Sequence, residues 1–274
     1  MNKPKLRRSE RIAAMTTILT NHPGRLFSLT TFSQRLNTLK SVLSEDLAIV
    51  KKTMEDLQIG EIQSSAGVRG GIRLIPGMPR DQQAAFLDEM KEELCKPHRI
   101  LPGEYLYYSD LISSPSYVQP MAEILVSRMD LTDAEYVVTV ETKGIPLAFA
   151  VARLMAKPLV VVRRESLMTE GTTVSVNYAS GSTGRMQRMV LPRKALKSGS
   201  RVVMIDDFMR GGGTARGMKD LMKEFDTRVL NTGVMMAARE PLKKKEDSYT
   251  ALLILDHVDE ENGKVHIYPN PKIF

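Results

Sequence analysis

Apolar residues at helical spacing open the chain. The first stripe ends at the turn-forming residues 21–24, and it consists of Ile12, Met15, Ile18 and Leu19. A shorter stripe over Leu29–Leu36 predicts a second helix, for which Thr30 or Thr31 is the expected N-cap because a hydroxyl there accepts a backbone N–H. A third stripe repeats apolar residues at steps of four and three, and it predicts a third helix: Leu43, Leu47, Val50, Met54 and Leu57.

Two short alternating runs follow these helices. Residues 61–63 and 72–75 flank a tip of Gly, Ser and Arg, which predicts a β-hairpin. Three helices and a hairpin within about 75 residues form the pattern of a winged helix-turn-helix, whose third helix enters the DNA major groove. A small helical cap on an enzyme is the alternative, and the Gly-rich, basic tip favours DNA binding.

The rest of the chain alternates strand-like and helix-like runs. Residues 76–79 have the composition of a linker, and a helix is predicted over 81–95. Beyond it, alternation predicts an α/β fold with a mainly parallel sheet and helices on both faces. The predicted domains are therefore 1–75 and 76–274. The runs are Tyr136–Val140, Ile145–Ala156, Leu159–Val162, Thr173–Tyr178, Val202–Ile205, Thr214–Phe225, Val229–Ala237 and Leu252–Leu255.

Positive charge is concentrated in the first domain. Residues 1–75 hold twelve Lys or Arg and six Asp or Glu, a net charge of +6, whereas the whole chain carries +7. Such asymmetry is typical of a polyanion-binding module joined to a nearly neutral one, although a solvated basic face is the plainer interpretation. The predicted DNA contacts are Arg7 and Arg8 in an N-terminal arm, Lys40, Ser41 and Ser44 in the third helix, and Arg69 and Arg73 in the wing.

Several classes of protein are disfavoured by composition. The single Cys95 excludes a disulfide framework, and no Cys/His cluster has the spacing of metal ligands. The basic N-terminus precedes no uninterrupted apolar run, and no segment reaches the roughly 18 apolar residues of a membrane helix. A cytoplasmic, soluble protein is therefore expected, with no metal bound by the protein alone.

A strand, two acids and a triple-glycine loop form the strongest signal in the chain. Val202–Ile205 runs into Asp206 and Asp207, and the loop that follows leads into a helix. Glycines let backbone N–H groups approach an anion closely, and the helix N-terminus adds a positive field. Thr214 is expected to cap that helix or to donate its hydroxyl to a phosphate. Two carboxylates would repel a phosphate that lies beside them. Their presence is explained if they accept hydrogen bonds from sugar hydroxyls or lie near a Mg²⁺.

A second anion site is predicted upstream. The strand Tyr136–Val140 ends in Glu141-Thr142-Lys143-Gly144, and a helix begins directly afterwards. Strand, turn, Lys, Gly and helix N-terminus again suit a phosphate group, although an ordinary turn with a solvent-facing Lys143 is the alternative. Arg163, after the next strand, is either a ligand contact or a surface charge.

The string Asp206–Thr214 resembles the motif with which type I phosphoribosyltransferases bind phosphoribosyl pyrophosphate (PRPP). The whole chain resembles the purine repressor family of Gram-positive bacteria, on the segments LRRSERIAAM, SEDLAIVKKTME, the Gly-rich wing, VSVNYASGSTGRMQ and IDDFMRGGGT. The resemblance implies that Asp206 and Asp207 hold the ribose hydroxyls and that Thr142–Gly144 bind the pyrophosphate. It also implies a mobile loop near residues 177–185. The implied PRPP contacts in the 5-phosphate loop and beside it are Phe208, Met209, Arg210, Gly211, Gly212, Gly213, Thr214, Arg163 and Tyr178.

Arg210 favours a sensor over a catalyst. Related purine enzymes place an Asp there, and an Arg cannot act as a base at neutral pH. The segment after Ala237 also offers few groups for holding a base, with Tyr249 and Tyr268 as its nearest aromatics. The expected function is a repressor of purine genes, acting as a homodimer on operator DNA with PRPP as effector. Guanosine tetraphosphate-type alarmones are expected to compete for the pocket, and an active purine phosphoribosyltransferase with an N-terminal extension is the alternative.

Overall fold

The structure, a computed structural model, describes residues 6–65, 67, 70–131, 133–179 and 186–274. The N-terminal compact unit comprises the chain up to Pro79 together with Arg153–Ala156, and the C-terminal unit comprises Arg80–Ala152 and Lys157–Phe274. The predicted linker residues 76–79 thus fall in the N-terminal unit. No helix in the described part of the chain has the length and apolarity needed to cross a bilayer.

Three helices and a hairpin build the N-terminal unit. They are α1 (Arg8–Asn21), α2 (Leu29–Leu36), α3 (Lys40–Asp56), β1 (Gly60–Ser65) and β2 (Gly71–Pro76), with the two strands antiparallel. The predicted apolar stripes meet in one core that includes Met15, Leu19, Phe32, Leu43 and Val50. The predicted winged helix-turn-helix is confirmed.

Two local expectations for this unit are wrong. Ser28, rather than Thr30 or Thr31, caps α2, because its Oγ accepts the N–H of Thr31 at 3.1 Å. Leu57, predicted as the last apolar position of the third helix, is the C-cap just beyond the end of α3 and is exposed. Asn37 ends α2 in the left-handed conformation (φ +47°), which Asn adopts more readily than most residues.

The C-terminal unit contains five helices and ten strands among its described residues. Its helices are α4 (Arg80–Leu94), α5 (Ser109–Ser113), α6 (Pro115–Arg128), α7 (Ile145–Met155) and α8 (Gly213–Lys223). Its strands are β3 (Ile100–Leu101), β4 (Tyr105–Leu106), β5 (Tyr136–Val140), β6 (Leu159–Val162), β7 (Thr173–Ala179), β8 (Met186–Pro192), β9 (Arg201–Met209), β10 (Arg228–Ala238), β11 (Thr250–Asp259) and β12 (Lys264–Pro269).

A six-stranded sheet forms the centre of this unit. Its strand order is β12-β11-β10-β9-β5-β6, and every neighbouring pair is parallel except β11 with β12. Val202 and Met204 of β9 pack with Met218 and Leu221 of α8, which covers one side of the sheet. The prediction of an α/β fold with a mainly parallel sheet is confirmed.

The run Thr173–Tyr178, predicted as part of the alternating pattern, lies outside this sheet. It belongs to β7, which pairs only with β8 in a separate antiparallel hairpin that packs against α8. Strand β9 is longer than the predicted Val202–Ile205, so both acids of the motif lie within a strand. The carboxyl ends of β5 and β9 meet at one edge of the main sheet, where the predicted anion loops begin.

Candidate functional site

Asp206 and Asp207 lie on β9 near the carboxyl edge of the sheet. Neighbouring residues of a strand point to opposite faces, so the two carboxyl groups have different surroundings. Asp206 is buried, and its Oδ1 accepts the backbone N–H of Asp207 at 3.0 Å. Burial, followed by the charge of Asp207, raises the pKa of Asp206 well above its ordinary value. A ligand hydroxyl that donates to this carboxyl would replace the water lost by burial.

Tyr108 contacts the second carboxyl group of the pair. Its Oη donates a hydrogen bond of 2.7 Å to Oδ2 of Asp207. Burial, together with the charge of Asp207, raises the pKa of this phenol, so the hydroxyl keeps its proton. The Nζ atom of Lys143 lies 4.5 Å from the centre of the Tyr108 ring, within the range of a cation–π contact. Tyr108 is thus an aromatic side chain at this site that the sequence motifs did not indicate.

The residues of the glycine loop come together around one pocket. Eight of the predicted ligand contacts line it: Asp206, Phe208, Met209, Arg210, Gly211, Gly212, Gly213 and Thr214. Ala215, Met218 and Thr232, which lie outside the predicted contacts, line it as well. The Thr232 hydroxyl is buried and has no hydrogen-bond partner among the described residues, so the pocket keeps one unused polar group.

Gly212 begins helix α8 in a conformation that requires glycine. It is the N-cap of the helix, with φ of +74°, and a Cβ atom there would lie 2.8 Å from the backbone nitrogen of Glu246. The expected capping role of Thr214 is therefore wrong, since Thr214 lies inside the helix. The loop is held from behind, because the N–H of Lys245 donates to the carbonyl of Gly211 at 2.9 Å.

The predicted pyrophosphate loop lies directly beside the acidic pair. The peptide bond between Glu141 and Thr142 is cis. A Cβ atom on Gly144 would lie 2.7 Å from Oδ1 of Asp206, so only glycine allows the loop to pass this close. The structure thus brings Thr142, Lys143 and Gly144 to the same sheet edge as Asp206, which is the arrangement a ligand with phosphates at two ends would need.

Arg163 and Tyr178 have protein partners in this structure. Arg163 forms ion pairs with Glu141 at 3.8 Å and with Glu170 at 3.4 Å. It therefore lies next to the predicted pyrophosphate loop, and carboxylates already pair with its charge. Tyr178 donates a 2.6 Å hydrogen bond to Gln187 and packs its ring against Gly217 of α8. The expected mobile segment falls mostly in 180–185, outside the described residues.

The predicted DNA contacts of the third helix share one exposed surface. Lys40, Ser41 and Ser44 are exposed at the start of α3. Arg73 lies on β2, where Gln63 accepts two of its guanidinium N–H groups at 3.0 and 2.9 Å. Arg69 lies outside the described residues.

The expected N-terminal arm is wrong in one respect. Arg7 is the N-cap of α1 and Arg8 its first residue, so both belong to the start of a helix and not to an extended arm. Arg8 lies 3.3 Å from the buried carboxylate of Asp46 on α3, and Arg11 pairs with the same group at 2.6 Å. This cluster joins α1 to α3. No local pattern predicts it, because Arg11 and Asp46 lie 35 positions apart.

Together these features define a class of protein: a winged helix-turn-helix joined to a type I phosphoribosyltransferase fold. Residues 7–76 match the family described as bacterial purine repressor, N-terminal, and residues 120–268 match the phosphoribosyl transferase domain. The purine biosynthesis transcriptional repressor PurR of Bacillus subtilis is 40% identical over 263 residues, which cover 96% of this chain and 92% of that protein. The chain belongs to the bacterial purine repressor family.

Two further similarities bear on function and fold. The purine biosynthesis transcriptional activator PurR of Lactococcus lactis is 36% identical over 264 residues, covering 96% of this chain and 97% of that protein. The adenine phosphoribosyltransferase structure from Saccharomyces cerevisiae aligns with a TM-score of 0.53 at 18% identity, over 61% of this chain and 97% of that chain. At this identity the likeness concerns the fold alone, and it confirms the predicted type I phosphoribosyltransferase fold.

Proposed function

We propose that this chain is a DNA-binding repressor of purine biosynthesis and transport genes, and that PRPP is its effector. The proposal is carried by one combination: an exposed Lys40-Ser41-Ser44 surface on a winged helix, and a glycine-loop pocket beside Asp206 in the same chain. The names of the relatives in Bacillus subtilis and Lactococcus lactis support control of purine biosynthesis, one as repressor and one as activator.

PRPP fits the chemistry of the pocket. Backbone N–H groups at the start of α8 suit its 5-phosphate, Asp206 and Asp207 suit its ribose hydroxyls, and Lys143 suits its pyrophosphate. Mg²⁺ binds readily to one or two carboxylates together with phosphate oxygens, so the acidic pair would hold it only with help from the ligand.

The C-terminal unit is proposed to bind PRPP without catalysis. Tyr108 fills space next to Asp207, and Arg210 lies in the loop where a purine enzyme would need a base. An assay for pyrophosphate release with PRPP and adenine, guanine, hypoxanthine or xanthine tests this directly. Robust turnover with any base would favour the alternative, an active phosphoribosyltransferase with an N-terminal extension.

Operator binding is tested by a gel shift on the promoter of the chain's own purine operon, with and without PRPP. We expect a specific shift whose midpoint changes with PRPP. The protein is proposed to act in the cytoplasm as a homodimer, since helix-turn-helix dimers bind paired half-sites. Light scattering of the free and operator-bound protein measures this, and a monomer on a single half-site would contradict it.

A loop pair built for two phosphate groups should also accept other nucleotides with clustered phosphates. We propose that guanosine tetraphosphate-type alarmones compete with PRPP, with Lys143 and Arg210 supplying positive charge. Displacement of labelled PRPP is the measurement. Simultaneous binding of both ligands would contradict a shared pocket.

A further inference from the structure

Leu39 is an exposed apolar side chain at a position that usually carries a polar one. It is the N-cap of α3, where Ser, Thr, Asp or Asn is favoured because the side chain accepts a backbone N–H of the first turn. Leucine cannot do so, and α3 has no side-chain cap. The side chain is 72% exposed, so it gains nothing from the core either. The residue thus lowers the stability of the helix without a compensating contact within the described residues.

The backbone that presents Leu39 is held firmly. In the turn between α2 and α3, the N–H of Thr38 donates to the carbonyl of Ser33 at 3.3 Å, and the Ser33 hydroxyl donates to the carbonyl of Thr38 at 2.7 Å. The Thr38 hydroxyl donates to the carbonyl of Leu36 at 3.0 Å. These hydrogen bonds hold the backbone from which the exposed Leu39 side chain projects.

We propose that Leu39 contacts the 5-methyl group of a thymine in the operator and helps to determine sequence specificity. The thymine methyl is the apolar group that a base pair displays in the major groove. Lys40, Ser41 and Ser44 follow on the exposed side of the same helix, where they can bind phosphates or polar base edges. The inference deepens the proposed function, because it names a reading contact within the proposed DNA interface.

The position of Leu39 separates it from the other exposed leucine of this helix. Leu57, 57% exposed, lies beyond the opposite end of α3. At 1.5 Å per residue, roughly 27 Å of helix axis separates the two leucines, so they cannot contact the same base pair. Leu57 therefore serves as a control, because its replacement changes a comparable exposed apolar area elsewhere on the unit.

The experiment uses the full chain and operator duplexes in which single thymines are replaced by uracil. Uracil lacks only the methyl group, so hydrogen bonding in the groove is unchanged. For the unaltered protein, we expect one thymine whose replacement weakens binding about fourfold, the effect of one buried methyl group. Leu39→Ala should bind the unmodified duplex about fourfold more weakly and lose nothing further at that thymine.

Several outcomes separate the inference from the proposed function. If the unaltered protein shows no specific operator binding, the proposed function fails. If it binds but Leu39→Ala and every uracil replacement act independently, the thymine contact is overturned. Leu57→Ala should leave operator affinity within twofold and remain sensitive to the same uracil. Circular dichroism must show that Leu39→Ala is folded; if it has lost helix, Leu39→Met, which keeps an apolar contact, must retain sensitivity to that uracil or the inference is overturned.

Discussion

At the scale of single residues, the Tyr108 hydroxyl competes with the proposed ligand for Asp207. Its hydrogen bond to Oδ2 uses acceptor capacity of the carboxylate that, on the proposed function, would go to a ribose hydroxyl. Tyr108→Phe should therefore tighten PRPP binding about tenfold, since a hydrogen bond to a charged group contributes roughly 1.5 kcal/mol or more. Calorimetry measures the affinity. Tyr107→Phe is the control, because Tyr107 is the neighbouring and more exposed phenol; unchanged or weaker binding by Tyr108→Phe would contradict the prediction.

Asp46 gives a second prediction at this scale. Its carboxylate is 1% exposed and accepts the guanidinium of Arg11, with Arg8 on its outer side. Asp46→Asn leaves a largely buried Arg11 without its counter-charge, so the free energy of unfolding should fall by about 3 kcal/mol. Urea unfolding followed by circular dichroism checks this. Glu45→Gln, an exposed neighbour, should change it by less than about 0.5 kcal/mol, and equal effects of the two variants would refute the role of the cluster.

The residues that sequence alone could assign are those that are close together in the chain. Asp206 to Thr214 form one contiguous string, so their shared pocket could be predicted from local chemistry. Tyr108 precedes Asp207 by 99 positions, and nothing near it in the sequence indicates a ligand site. Tyr108 lies at the start of α5 and outside the main sheet, so tertiary packing rather than local pattern brings it to Asp207 on β9.

At the scale of elements, the spacing of apolar residues and the length of each apolar run decided which predictions were confirmed. Strands β5 and β6 have the predicted bounds because continuous apolar runs leave little choice. Strand β7 instead alternates apolar and polar residues, and it pairs outside the main sheet, because pairing partners are not encoded in one strand's pattern. Helix α6 was missed because it begins at one proline and contains another, Pro120.

Arg99 fixes the segment that carries Tyr108. Its guanidinium donates to both carboxylate oxygens of Asp110, at 2.8 and 3.0 Å, and to the carbonyl of Tyr107 at 3.2 Å. Arg99→Gln should free this segment and weaken the Tyr108–Asp207 contact, so PRPP affinity should change in the same direction as in Tyr108→Phe. A double variant separates the two effects: independent changes in affinity would show that Arg99 does not act through Tyr108.

The same cluster predicts a dependence of stability on pH. Hydrogen bonds from Arg99 lower the pKa of Asp110, and hydrogen bonds from Arg99 and Lys96 lower the pKa of Glu93. The unfolded chain therefore binds more protons in acid, and the stabilisation is present above about pH 4 and lost below it. The melting temperature should fall between about pH 6 and pH 3, and less so in Arg99→Gln. Lys91→Gln, which removes an exposed ion pair with Asp88, should show the same fall in melting temperature as the unaltered protein. An equal fall in the unaltered protein, Arg99→Gln and Lys91→Gln would contradict this assignment.

At the scale of the whole molecule, ligand and DNA contacts are assigned to different units. Asp206→Ala combined with Asp207→Ala should abolish PRPP binding, since each lost hydrogen bond to a carboxylate costs roughly 1.5–3 kcal/mol. Operator affinity without PRPP should stay nearly intact. Calorimetry and gel shift measure the two quantities, with Glu261→Ala on the exposed β11–β12 turn as control. Unchanged PRPP affinity in the double variant would remove the assigned site.

The salt dependence of operator affinity tests whether basic residues of the N-terminal unit contact DNA phosphates. Arg7, Arg69 and Arg73 are proposed phosphate contacts, whereas Arg8 is already paired with Asp46. Replacing the three by Gln should flatten the slope of log affinity against log salt by about two to three. Lys51 and Lys52 are paired with Glu55 and Asp56 at the far end of α3, so their replacement should change it less. An unaltered slope in the triple variant would mark those arginines as ordinary surface charge.

The boundary between Pro79 and Arg80 has a consequence for the genetics of the locus. On the proposed function, missense alleles that lose control of the target genes should map to codons before this boundary, where Asp46 and the α3 surface are encoded. Alleles that still occupy the operator but ignore the effector should map after it, in clusters at codons 142–144 and 206–214. Sorting a random mutant collection by these two phenotypes would therefore divide one gene into two sectors.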